Sequence, residues 1–250
     1  MPRALTATDL QGALRAGAPC VFTGALDEDV RAALQWARLR ERAAEEPVPV
    51  LPVRGSRVLF DPARGFVAAP QPLGRFLQSL EGDQPGGYLS ARPEELPGWL
   101  AAAVRPPRCL DAFPWRVSKL WIGARGNLSA LHRDLAHNLH TVTAGAKRFW
   151  LLSPAQGACV YPNPPWRGVP NGCAVDPEAP DLARHPRFDR ARPVVVHVHA
   201  GETLLLPRGW WHHVRALDAS VAVNTFFATG THAALVASTD VAKRLLGVSR

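Results

Sequence analysis

No stretch of the 250-residue chain approaches the roughly 18 uninterrupted apolar residues of a membrane-spanning helix. The N-terminus MPRALTATDLQGALRAG also lacks the apolar core of a secretory signal peptide, so the expectation is a cytoplasmic protein. Cysteine is scarce. Cys20, Cys109, Cys159 and Cys173 are scattered, form no CxxC pair, and suggest neither a disulfide framework nor a zinc knuckle, so they read as plain reduced thiols. Lysine is scarcer still, occurring only at Lys119, Lys147 and Lys243, and the formal charge of +8 is carried almost entirely by arginine. The arginines run from Arg3 to Arg250 without massing into one basic stretch. Such a charge suits RNA, DNA or an acidic peptide, but Arg, Ala, Gly and Pro enrichment with little Lys is equally the mark of high genomic GC content. A lysine retained inside an apolar strand, as Lys147 is, therefore calls for a specific reason.

What is present is enough apolar residue, 47% of the chain, to bury one full core. The first third reads as mixed structure. Thr8 can cap a helix over 9–15, and 27–40 has helical spacing at Val30, Leu34 and Leu39. Further helices are predicted over 71–80 and 93–104, with GGYLS extended between them. From Arg116 the pattern becomes strands: VSKLWIG, LHTVTAG, KRFWLLSP, PVVVHVHAGETLLLP and SVAVNTFFATG, rich in Val, Leu, Thr and aromatics and bounded by Gly or Pro. That implies a sandwich or barrel. The proline-rich stretch 161–192 lacks periodicity and reads as a long surface loop or insertion. A single domain is expected, with 1–115 flanking a barrel over 116–228 and a helix over 229–250.

In an extended segment, side chains at i and i+2 point the same way, so His132 and Asp134 of LHRDLAHN can face one cavity while Arg133 faces elsewhere. An imidazole and a carboxylate together are two corners of the two-His, one-carboxylate triad that holds non-haem Fe(II) with open positions. Alone, HxD is a weak signal. WWHHVRAL offers a third ligand, but adjacent His212 and His213 must point to opposite sides. Arg215 shares a face with His213 and is the residue less suited to burial, so His212 is taken as inward and His213 as adjacent to the site or on the surface. A core aromatic ledge with hydrogen-bonded histidines would explain WWHH equally if it stood alone. LHTVTAGAKRFWLL reads as a hairpin turning at Ala144 and Gly145, with Lys147, Phe149 and Leu151 on one face. If that face lines the cavity, the ammonium needs an anion, which a dicarboxylate bound at the iron would supply; if not, Lys147 is an edge-strand charge.

The segment KLWIGARGNLSALHRDLAHNLHTVTAGAKRFWLLSP, with ETLLLPRGWWHHVRAL and SVAVNTFF, resembles the JmjC/cupin-8 group of 2-oxoglutarate oxygenases. Within the group, its pattern is nearest to the asparaginyl hydroxylase acting on hypoxia-inducible factor. The resemblance implies a double-stranded β-helix, or jelly roll, with Fe(II) held by His132, Asp134 and His212. It also implies that Lys147 pairs with the distal carboxylate of 2-oxoglutarate, helped by Ser129 and Tyr88, and that Asn138 and Asn224 lie near the metal-bound end. HxD rather than HxE favours hydroxylation over demethylation. Arg133 and His140 depart from the pattern, each standing where an aromatic is usual; His140 shares a face with Asn138 and either lines the substrate pocket or is a hydrogen-bonded core histidine.

The expected activity is O2-dependent hydroxylation of a protein or peptide side chain, with Trp121, Trp210, Trp211 and Phe226 as apolar walls around the iron. Alternatives are a tRNA nucleoside, a biosynthetic small molecule, a metal-dependent cupin without 2-oxoglutarate, or a non-catalytic JmjC-like binding module. THAALVASTDVAKRLLGV is helix-compatible through Leu235, Val241 and Leu245, and serves either a homodimer or packing on its own barrel.

Overall fold

The computed structural model describes residues 3–43, 45–61, 65–81, 87–164, 169 and 171–245. Its first part alternates short elements: β1 (Arg3–Ala4), α1 (Ala7–Ala16), β2 (Cys20–Thr23), α2 (Glu28–Ala33), α3 (Trp36–Glu41), β3 (Pro47–Leu51), β4 (Val53–Arg54), β5 (Arg57–Val58), β6 (Ala69–Pro72), α4 (Leu73–Ser79), β7 (Tyr88–Ala91) and α5 (Gly98–Ala101). Strands then dominate: β8 (Trp115–Gly123), β9 (Leu128–Arg133), β10 (His137–Ala144), β11 (Ala146–Leu152), β12 (Val194–His199), β13 (Glu202–Leu206), β14 (Trp211–Ala216) and β15 (Ser220–Ala228), before α6 (Gly230–Leu245).

Several local expectations shift. Thr6, not Thr8, caps α1, its hydroxyl accepting from the Asp9 N–H. The single helix expected over 27–40 is two, broken between Ala33 and Trp36. The helix expected from residue 71 starts at Leu73, because Gln71 is still paired in β6. That over 93–104 is a 3-10 turn, Pro93–Glu95, followed by α5, since Pro97 lacks the N–H that a continuous helix would need.

The strands form two sheets, one in the order β1-β2-β13-β10-β15-β8-β7-β3-β6 and the other β12-β11-β14-β9-β5-β4. Face-to-face packing gives the jelly roll. Val142, Leu204, Leu206 and Ala222 of the larger sheet meet Phe149, Leu151, Val198 and Val214 of the smaller between them. Each large side chain fully buried there contributes on the order of 1.5–3 kcal/mol. The larger sheet's outer face is covered by helices, with Leu120, Ile122, Val221 and Val223 packed against Val30, Leu34, Leu39, Phe76 and Leu100.

The predicted hairpin at Ala144–Gly145 is a correction. β10 pairs with β13 and β15 in the larger sheet, whereas β11 pairs with β12 and β14 in the smaller. The chain crosses between sheets at this point, and a Cβ on Gly145 (φ 75°) would lie 2.4 Å from the Ala219 carbonyl oxygen. Only glycine fits this corner.

The stretch over 161–192 is not simply a surface loop. Val160, Val175, Phe188 and Ala191 are buried against Leu131, Leu152 and Trp211 on the outer face of the smaller sheet. The segment's described residues around Val175, Phe188 and Ala191 form a lid over that face. All four cysteines are free, and burial pushes the thiols of Cys109 and Cys173 up to about 11. Among the described residues no helix is long and apolar enough to cross a membrane. Leu235 of α6 is exposed, while the side chains of Val241 and Leu245 lie outside the described residues.

Candidate metal centre

The alternation of β9 and β14 brings three side chains able to ligate a metal to one spot. His212 lies directly opposite His132 in the β9–β14 register, and Asp134 follows just beyond the end of β9. One ligand atom from each of the three lies within 4.8 Å of the others. His212 Nε2 is 3.5 Å from Asp134 Oδ2, and His132 Nε2 is 4.0 Å from Asp134 Oδ1. These separations exceed an ordinary hydrogen bond, so the groups converge without satisfying one another.

The tautomers suit a cation. His132 Nδ1 is 2.7 Å from the Ala130 carbonyl oxygen, and His212 Nδ1 is 3.1 Å from that of Trp210. A carbonyl only accepts, so each Nδ1 carries the proton and each Nε2 presents a lone pair. Burial, with the neighbouring His132 adding to it, lowers the His212 pKa to about 4 and keeps its ring neutral. Asp134 is oriented by the Asn138 amide, whose Nδ2 donates to Oδ2 at 3.2 Å. His212 is buried, but His132 and Asp134 remain partly exposed at 31% and 21% of their side-chain surface, which leaves a route in for a second molecule.

Deeper between the sheets lie the other residues that the sequence singled out. Lys147 is 2% exposed, and its Nζ stands 5.9 Å from the centre of the Tyr88 ring. Burial brings its pKa down to about 7, with no anion among the described residues acting against that shift. Tyr88 hydrogen-bonds to Ser129, and burial pushes the phenol's pKa upward so that it stays protonated. Gly123 makes room for the phenol, since a Cβ there would fall 2.4 Å from Tyr88 Cδ2. Leu151 pairs with His212 while Lys147 lies two pleats along β11, so the lysine backbone is about 13 Å of strand from the metal ligand.

Asn138, His140 and Asn224 share the inner face, and Asn138 Oδ1, His140 Nε2 and Asn224 Oδ1 are buried without partners. Phe226 and Trp121 lie on that face with Asn224, and Trp210 packs at the edge of the inter-sheet core. Trp211 does not wall the point where the three donors converge. Its parity puts it on the outer face, where it packs in the lid cluster and carries the Arg133 guanidinium 5.0 Å from its ring centre. Arg133 is thereby placed outside the cavity.

His213 also differs from a surface residue, being fully buried and 3.4 Å from Glu178 Oε1 of the lid. Arg215 holds the same carboxylate through Nε, at 2.7 and 2.9 Å, and through a second nitrogen. The sequence argument put Arg215 outward, which holds, but a folded-over segment covers that face. Sequence reasoning missed this clasp because Glu178 lies in an aperiodic stretch. It also missed Lys119, which is buried on the inner face with its Nζ 4.8 Å from the Trp121 ring centre. The scarcity of lysine that singled out Lys147 applies to Lys119 as well.

Residues 8–232 match the family model of the cupin-like domain. The chain is 28% identical over 250 aligned positions to the bifunctional peptidase and (3S)-lysyl hydroxylase JMJD7 of Homo sapiens, an alignment covering 84% of this chain and 77% of that protein. It is 36% identical over 114 positions to the HSPB1-associated protein 1 homolog of Danio rerio, covering 44% of this chain and 25% of that protein. With lysine-specific demethylase 8 of Xenopus tropicalis, identity is 35% over 104 positions, 42% of this chain and 23% of that protein. The chain thus spans about three quarters of the first relative and about a quarter of the other two.

Proposed function

This chain belongs to the cupin-like, JmjC-type family, and from that membership we propose that it is an Fe(II)- and 2-oxoglutarate-dependent oxygenase that hydroxylates a side chain of a protein or peptide. The observation that carries the proposal is the pairing of two unusual features on the inner face of the smaller sheet. Three convergent donors, with both imidazoles presenting Nε2, suit a divalent iron ion. A buried lysine with no anion acting on it among the described residues suits the far carboxylate of a dicarboxylate.

The residues fit both groups. His132, Asp134 and His212 would hold the iron, and Asn138 would keep the Asp134 carboxylate turned toward it. Lys147, with the Tyr88 and Ser129 hydroxyls beside it, would hold the distal carboxylate of 2-oxoglutarate, and Asn224 would lie toward the metal end. When bound, the two would supply oxidative decarboxylation of 2-oxoglutarate by O2, giving succinate and CO2, with one oxygen atom inserted into a substrate C–H bond. The protein's part is positioning and exclusion of water: Trp121, Phe149 and Val214 close the cavity behind the donors, and the partly exposed His132–Asp134 side admits the target. A protein target is supported by the names of the relatives, a lysyl hydroxylase and a lysine-specific demethylase among them.

The test is anaerobic titration of the purified chain with Fe(II) and then 2-oxoglutarate, followed by exposure to O2 with a lysate as substrate source. A weak visible charge-transfer band, succinate release and peptides heavier by one oxygen are expected. Unchanged 2-oxoglutarate-coupled oxidation in Asp134→Ala or His212→Ala would sink the assignment.

A further inference from the structure

The inner face of β10 carries Asn138, His140 and Val142 in alternation. Asn138 serves the metal ligand Asp134, and Val142 belongs to the apolar floor, so His140 stands where the cavity passes from one to the other. Its side chain is 5% exposed and Nε2 has no hydrogen-bond partner. From the facing sheet Phe149 packs edge-on against its ring, with centroids 5.1 Å apart. Phe149 lies on β11 midway between Lys147 and Leu151, the residue aligned with His212. His140 therefore sits level with the middle of the path from the metal donors to the buried ammonium. On β15 its cross-strand partner is Asn224, whose Oδ1 is also buried and unpartnered. A polar ring at this place costs stability in the ligand-free protein, where an aromatic hydrocarbon would not.

We propose that His140 is a cosubstrate-binding residue, its neutral imidazole donating a hydrogen bond through Nε2 to an oxygen of the dicarboxylate held between the metal donors and Lys147. The inference rests on the oxygenase reading. Neutrality is consistent with the surroundings: burial first, then the neighbouring Lys147 and His212, hold the ring's pKa well below its ordinary value. A neutral donor grips an anion while leaving the pairing charge to Lys147. The residue then sets how tightly the cosubstrate is held rather than whether the metal binds.

The test uses the full chain loaded with Mn(II), with 2-oxoglutarate added in an isothermal titration, and compares wild type, His140→Phe and His140→Gln. His140→Phe should weaken 2-oxoglutarate binding about tenfold, the loss of one buried hydrogen bond to a charged group, leave Mn(II) affinity unchanged, and raise or preserve the ligand-free melting temperature. His140→Gln, which keeps a donor, should recover part of the affinity. Binding by His140→Phe within twofold of wild type overturns the proposal while leaving the oxygenase reading intact. Loss of affinity accompanied by a lower ligand-free melting temperature also overturns it, by assigning His140 a structural role. Absence of 2-oxoglutarate binding in the wild type removes the oxygenase reading itself.

Discussion

Replacing Lys147 by methionine should make the ligand-free protein more stable at neutral and acidic pH while abolishing its grip on the cosubstrate. The amine is 2% exposed, and burial takes its pKa from an ordinary 10.5 to about 7. At about 1.36 kcal/mol per pH unit, that difference corresponds to roughly 5 kcal/mol, an upper limit reached when the amine is charged in both folded and unfolded states. The sign follows from proton binding. Below about 7 the folded protein carries the whole penalty; between 7 and 10.5 the unfolded chain keeps a proton that the folded chain has released, so stability climbs with pH; above 10.5 the penalty is gone. Lys147→Met has the same bulk without the charge and should melt up to about 10–20 °C higher at pH 6.5, with the gain shrinking toward pH 10. Melting curves of both proteins across pH 6 to 10.5 read this directly. A dicarboxylate restores the charged form, so wild-type binding above pH 7 should take up a proton, seen as a buffer-dependent heat, whereas Lys147→Met should show neither the uptake nor the binding. Parallel pH profiles in the two proteins, or a less stable Lys147→Met at pH 6.5, would refute the reasoning.

Asn138→Ala removes the amide that turns Asp134, and Fe(II) or Mn(II) affinity should fall about 10–100-fold in a metal titration. Glu178→Ala leaves the partly buried Arg215 and the buried His213 without their carboxylate and should cost about 1–3 kcal/mol, with faster hydrogen exchange over residues 173–191 as the readout. The same clasp gives an acid dependence. Burial is the largest single influence and works to raise the Glu178 pKa, but the hydrogen bonds and charge of Arg215 together with His213 outweigh it and leave the value lowered, so the stabilisation present at neutral pH should fade as pH falls below the ordinary carboxylate range; Glu178→Gln should flatten that limb of a melting curve. Gly145→Ala should destabilise by at least about 2 kcal/mol, since it combines a positive φ with a backbone clash at Ala219, and denaturant unfolding measures it.

The chemistry of the candidate centre is legible in the chain because it rests on short-range rules. Period-two alternation puts His132 and Asp134 on one side and separates His212 from His213 without reference to the rest of the molecule. The same rule marks Lys147 beside Phe149 and Leu151, and a shortage of lysine makes its retention conspicuous. Most strands were visible for the same reason, whereas the helices of the first third broke at Gln35 and Pro97 because tertiary packing and local backbone chemistry outweigh weak periodicity.

Tertiary structure alone decided which sheet each strand enters and what covers each face. The turn at Gly145 reads locally as a hairpin, yet β10 and β11 find their partners in separate sheets, because pairing depends on residues far along the chain such as Thr203 and Ala216. Trp211 and His213 look like candidates for the metal cavity or the solvent until the aperiodic lid around Val175, Glu178 and Phe188 folds over them. Alternation tells which side chains share a face. Only long-range packing determines whether that face meets a metal, a core or water.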